Sequence, residues 1–208
     1  MKTSLSKSRY TKYCQCAKAL WLSVNKPDEA TVDAGVEARF AEGNVVGDLA
    51  MGLFGDFVEV TTMKNERLDL SAMIEKTQEE MERGTEVICE ASFSYRNAGE
   101  SNYCAVDILR KTADGWAIYE VKSTTSHVAD VATMSKELVD KVEKYAKDIA
   151  FQKWVLVQCG VKVTGTYLVT LNSDYVRQGN LDVQQLFNII DMQELVENEY
   201  LKVPVQQR

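Results

Sequence analysis

Apolar side chains recur along this chain with two different periods, and the change between them outlines the elements. From Ser6 to about Val24, Tyr10, Tyr13, Ala17, Leu20 and Trp21 fall at helical spacing and predict one amphipathic helix. A second helix is predicted from about Asp33 to Phe54, where Gly43, Gly47 and Gly52 allow a kink or close packing. A third runs from roughly Asp69 to Arg83. The period then drops to two. Segments 86–95, 101–111 and 115–122 read as antiparallel strands, with turns at Asn97-Ala98-Gly99 and Ala113-Asp114-Gly115. A long helix from about Ser135 to Val157, a strand at 161–171 and a helix from about 182 to 198 complete the pattern. This succession predicts one mixed α/β domain spanning 1–208.

The second hairpin carries the chemistry. Alternation places Glu120 and Lys122 on one strand face with Val121 on the other. If Ala113-Asp114 forms the turn, Asp107 faces Glu120; if Asp114-Gly115 does, Asp107 faces Lys122 and lies diagonal to Glu120. Either register keeps the three on one face, with facing Cβ atoms about 5 Å apart. Two carboxylates that close repel unless a cation lies between them. A divalent ion with a lysine beside it suits phosphodiester hydrolysis, because the ion acidifies a bound water and offsets transition-state charge. Glu120 is the only acid in the chain followed two residues later by lysine. The competing reading is a solvated strand face with a cross-strand salt bridge, but apolar residues flank both acids, as in a central strand.

Composition narrows the options. Hydrophobic residues at 45% and charged residues at 26% of 208 lie in the soluble globular range. No apolar run approaches a membrane span, and the basic, polar opening lacks a secretory leader's apolar stretch, so a cytoplasmic location is expected. The single histidine, His127, excludes centres that need two or three histidines. A hydrolytic metal must then rest on carboxylates, which favour Mg²⁺ or Mn²⁺. Five cysteines, an odd number, argue against a disulfide framework; Cys89, Cys104 and Cys159 read as buried thiols. The net charge of −7 argues against a broad basic surface for nucleic acid, though a local groove is compatible with it.

On the long helix, Lys141, Tyr145, Asp148 and Gln152 share one stripe, while Val142, Ile149 and Trp154 lean elsewhere. The stripe reads either as facing the hairpin site, with Tyr145 and Gln152 orienting substrate or water, or as an ordinary exposed face. Ser123-Thr124-Thr125-Ser126 reads as a surface loop leading to His127, and Trp21, Trp116 and Trp154 as core.

Asp107-x12-Glu120-x-Lys122, followed by Tyr145 and Gln152, resembles the RecB-like branch of the PD-(D/E)XK nuclease superfamily, and more closely the CRISPR-associated RecB-like exonucleases. Leu5-Ser6-Lys7-Ser8, Tyr13, Cys16 and Lys18-Ala19-Leu20-Trp21-Leu22 are similar to that group's opening helix, as is Phe40-Ala41-Glu42-Gly43-Asn44-Val45-Val46-Gly47 to a later segment. The resemblance spans about residues 5 to 172. It implies a restriction-endonuclease-like core, a mixed central sheet flanked by helices, behind an N-terminal helical region. It also implies DNA as substrate, exonuclease activity, and Mg²⁺ or Mn²⁺ as cofactor. Asp107 and Glu120 would be metal ligands, Lys122 the catalytic lysine, and Gln152 and Tyr145 the motif that follows it. Glu90 is either a further metal ligand or an exposed strand residue.

Three departures stand out. Many relatives carry GxxxH in the second helix, with the histidine on the metal; here Gly47 stands in its place, leaving the position to Asp48 or water. Leu156 stands where a tyrosine is usual. Relatives with a [4Fe–4S] cluster use one N-terminal cysteine, matched by Cys16 or Cys14, and three C-terminal ones that this chain lacks. No cluster is expected unless residues or a partner outside this chain complete it, as they would if the chain were the N-terminal part of a longer protein. The rival expectation is a nuclease fold without turnover, serving as a DNA-binding or scaffold module.

Overall fold

A computed structural model describes residues 4–29, 34–97, 100–127, 134 and 136–203, with the backbone alone at 34–41, 97 and 137–138. The chain opens with strand β1 (Ser4–Ser6), helices α1 (Lys7–Gln15) and α2 (Ala17–Asn25), and a 3₁₀ turn at Pro27–Glu29. Helix α3 (Ala34–Met51) ends in a second 3₁₀ turn, Gly52–Phe54, before three short strands, β2 (Val58–Glu59), β3 (Met63–Lys64) and β4 (Arg67–Leu68). Helix α4 (Leu70–Arg83) is capped by the Asp69 side chain, which accepts from the Ala72 N–H, and by Gly84 in the left-handed region that glycine adopts without strain.

Next come β5 (Val87–Asn97), β6 (Glu100–Lys111), β7 (Trp116–Ser126), α5 (Lys136–Gln158) and β8 (Val163–Asn172). The chain closes with α6 (Val183–Leu186), β9 (Phe187–Asp191) and α7 (Gln193–Tyr200). The main sheet runs β2-β5-β6-β7-β8-β9, with β1 as an extra neighbour of β6. β5, β6 and β7 are antiparallel as expected, and β8 returns parallel to β7 after the α5 crossover. Helix α5 covers one face of the sheet, where Val142, Ile149, Phe151 and Leu156 meet Ile88, Leu109, Ile118 and Leu168. The end of α3 covers the other, where Val46, Ala50 and Met51 meet Val87, Ile108, Ala117 and Tyr119. The expected α/β sheet flanked by helices is what the chain forms.

Several expectations need correction. The single opening helix breaks at Cys16, whose backbone is extended (φ −165°, ψ 116°). The break lets α1 turn Tyr10 onto Phe151, ring centroids 4.8 Å apart, while Trp21 of α2 is 55% exposed and so lies outside the core. Trp116 and Trp154 are buried as expected. The predicted helix at 182–198 is a four-residue turn of helix, a strand and then α7. β9 pairs antiparallel with β8, so the apolar run Phe187-Asn188-Ile189-Ile190 takes the strand period. Residues Ser123 to Ser126 belong to β7 and are no loop, and Cys159 is exposed, whereas Cys89 and Cys104 are buried. None of the five cysteines forms a disulfide. Ala98 and Gly99 of the predicted turn, and the starts of the second and fourth predicted helices at Asp33 and Ser135, fall outside the described residues.

Candidate active site

The centre of the sheet is forked. β6 pairs with β7 only from Ile108↔Tyr119 to Lys111↔Trp116, and this register sets Asp107 opposite Glu120, the Ala113-Asp114 alternative. Beyond Ile108 the two strands part. The Asp107 carboxylate then accepts the Val121 N–H at 2.7 Å, standing in for a lost ladder partner. On the far part of β6 the edge left by β7 is taken by β1, paired in parallel from Ser4↔Ser101 to Ser6↔Tyr103. β5 and β6 both change the side on which alternate residues lie at this point. Cys89 and Ile108 face α3, whereas Ala91 and Val106 face α5. Glu90, opposite Asp107 between those pairs, absorbs the change with a left-handed backbone (φ 57°), a conformation costly for a non-glycine residue.

Glu120 sits inside the fork with its side chain 1% exposed, and three donors from three elements saturate it. Lys122 Nζ donates to Oε1 at 2.6 Å and Gln152 Nε2 to Oε2 at 2.7 Å. Lys7 Nζ lies 3.2 and 3.1 Å from the two oxygens, and also 3.5 Å from Asp107 Oδ1. Lys122 continues to Asp148 Oδ2 at 3.0 Å and lies 5.4 Å from the centre of the Tyr145 ring. The α5 stripe therefore faces the site through Tyr145, Asp148 and Gln152. Gln152 Oε1 is buried and has no hydrogen-bond partner among the described residues.

These contacts set the charges. Burial alone would raise the Glu120 pKa, but Lys122 and Lys7 outweigh it and bring it down to about 2. Burial and the neighbouring Glu120 raise Asp107 and Asp148. Burial and Asp107 push Glu90 up to about 7. Burial would lower both lysines, yet the surrounding carboxylates hold Lys7 and Lys122 above the ordinary lysine range. Both lysines are cations near neutral pH.

A cavity of about 590 Å³ opens onto the fork. Lys7, Glu90, Asp107, Glu120 and Lys122 line it from the sheet side, and Gly43, Gly47 and Asp48 from α3. The α3 segment singled out by spacing thus covers the site, and a Cβ at Gly47 would meet nothing within 4 Å. Glu90 is partly exposed and lines this cavity. A larger cavity, about 710 Å³ beside Trp116 and Cys159, is lined by none of the candidate catalytic or metal-binding residues. His127 is exposed, its Nδ1 near Ser173 Oγ and Asp174 Oδ1, and does not line the fork cavity. Cys16 is likewise exposed.

Sequence reasoning missed Lys7 as a site residue and left Asp148 without a role. For Asp148 the helical stripe was the available signal. Lys7 reaches the site from 100 residues away in sequence, which no local spacing records.

Could the residues hold a divalent ion? Besides the Asn44 amide, the side-chain oxygens lining the cavity belong to the carboxylates of Asp48, Glu90, Asp107 and Glu120, the hard ligands that Mg²⁺ and Mn²⁺ prefer. Among the described residues no three such side chains gather into a closed metal cage. One or two carboxylates, completed by water and a substrate phosphate, is a usual arrangement for Mg²⁺. The donor set therefore fits an ion shared with substrate, and does not fit a protein-enclosed one.

Neither a family model nor a curated protein matches this sequence. Among solved structures, a crystal structure from Eubacterium rectale, provisionally designated an exonuclease, aligns with 100% of this chain and 81% of its own, at a TM-score of 0.53 and 15% identity. The crystal structure of SSO0001 aligns with 100% of this chain and 78% of its own, at a TM-score of 0.39 and 11% identity, too weak a likeness to support an argument. The first likeness bears on the fold, a restriction-endonuclease-like α/β class with a curled mixed sheet between helices. No helix among the described residues is long and apolar enough to cross a membrane.

Proposed function

We propose that this chain is a metal-dependent DNA nuclease of the PD-(D/E)XK superfamily, in its RecB-like branch, acting as an exonuclease. The observation that carries the reading is the fork. Strands β6 and β7 separate at one point, and Asp107, Glu120 and Lys122 meet there beneath an open cavity. A solvated strand face would not bury Glu120 or surround it with three donors. The exonuclease designation of the Eubacterium rectale protein is in keeping with this reading.

Asp107 and Glu120 would hold the ion, with Glu90 or Asp48 adding an oxygen from the cavity wall. When bound, the ion would supply an acidified water and offset the charge building on the phosphorus. Lys122, which the surrounding carboxylates hold above the ordinary lysine range, would orient the attacking water and share the phosphoryl charge as a cation. Gln152 holds Glu120 in position from α5, and Asp148 with Tyr145 holds Lys122.

The rival is a fold that binds DNA without cutting it. Gly47, where the resemblance implies a metal-binding histidine, favours it. The separating experiment incubates the protein with end-labelled linear and with circular DNA in Mg²⁺, in Mn²⁺ and in EDTA. Nucleotide release from linear DNA in either metal, absent in EDTA and in Glu120→Ala, is expected. DNA binding with no cleavage under any condition would establish the rival.

A further inference from the structure

We propose that Lys7 is a built-in cation that holds the ligand carboxylates of the metal-free enzyme and is displaced when a divalent ion binds. The inference rests on the reading of Asp107 and Glu120 as ion ligands. Its structural basis is how the chain delivers Lys7. β1 fills the edge of β6 that β7 abandons, and its last pair, Ser6↔Tyr103, sets the next residue at the mouth of the fork. Helix α1 starts there, with the Ser6 side chain accepting from the Arg9 N–H. α1 is then fixed against α5 by the stack of Tyr10 on Phe151. Backbone pairing, helix cap and aromatic stack together aim one ammonium group at the two carboxylates that spacing marks as ligands.

Its contacts are those an ion would need. Lys7 Nζ reaches Asp107 Oδ1 and both oxygens of Glu120, within 3.1 to 3.5 Å. Lys122 already pairs with Glu120 and Asp148, so Lys7 is the second cation for a group of four carboxylates: Glu90, Asp107, Glu120 and Asp148. An ion and Lys7 cannot share Glu120, because Lys122 and Gln152 already hold one oxygen each. Binding must therefore release the lysine into the cavity. The ion's apparent affinity is lowered by the fraction of molecules in which Lys7 is in place.

Two measurements without DNA test this. In wild-type protein, amine labelling by an N-hydroxysuccinimide ester is read by mass spectrometry with and without Mg²⁺. Lys26, 48% exposed, serves as the internal reference. Lys7 labelling should rise several-fold relative to Lys26 when Mg²⁺ is added. Secondly, calorimetric titration should find that Lys7→Met, of similar length and uncharged, binds Mn²⁺ more tightly than wild type by roughly tenfold or more. Lys7 labelling that is unchanged or reduced by Mg²⁺ would overturn the proposal. So would Lys7→Met binding Mn²⁺ no better than wild type, or no ion binding in either protein. Should the variant not fold, the wild-type labelling decides alone. A protein that passes both tests yet leaves DNA uncut would refute the nuclease reading and leave the displacement of Lys7 standing.

Discussion

Glu90 holds the least favourable position in the site. Its backbone is left-handed inside a strand, and its carboxyl is pushed up to about 7 by burial and by Asp107. A carboxyl whose folded pKa exceeds its ordinary value of 4.5 binds a proton in the folded state that the unfolded chain releases. Its contribution to stability is full below the ordinary value and falls as pH rises towards about 7. Without metal, the melting temperature should drop between pH 5 and 7.5, and Glu90→Gln should flatten part of that drop. An unchanged slope in the variant would mean that Glu90 is not the group titrating. That Asp107, Glu120 and Lys122 share one strand face was legible because strand alternation is a local rule and apolar neighbours marked a central strand. Helical spacing put Tyr145 and Gln152 on one stripe but left open whether it faced the hairpin. Glu90 stayed ambiguous because its backbone departs from alternation, and the partners of Lys7 depend on the tertiary fork.

At the scale of elements, α1 acts as a clamp on the site. Tyr10 is 1% exposed, and its stack on Phe151 ties the N-terminal segment to the helix that carries Gln152. Tyr10→Ala should cost about 3–5 kcal/mol, a fall of roughly 6–20 °C in melting temperature for a chain of this size. Hydrogen exchange over Ser4–Gln15 should rise more than over β8, because the clamp is lost before the sheet. A drop under 1 °C in a calorimetric scan would contradict this packing account. The central strands, α4 and α5 were readable because each keeps one strong period with clear ends. The break at Cys16 was not, because the helical pattern continues across it while packing turns Tyr10 and Trp21 to different surroundings. β9 was misread for a related reason. A short apolar run has no decisive period, and pairing with β8 settles it.

Over the whole molecule, helices α3 and α5 close on a sheet that splits where the acids lie, and the cavity opens at that split. The net charge of −7 argues against a broad basic surface, so under the nuclease reading the lysines at the fork and a bound ion would draw in the phosphate. This places the central claim on Lys122, whose ammonium would act on the reacting phosphate while leaving ion binding to the carboxylates. The most direct test is the single-turnover cleavage rate of labelled DNA by Lys122→Met beside wild type in saturating Mn²⁺, with ion binding measured on the same samples. A rate lower by about 10²-fold or more, with Mn²⁺ still bound, is the predicted result. Cleavage within a few-fold of wild type would contradict the account and place the chemistry elsewhere in the molecule.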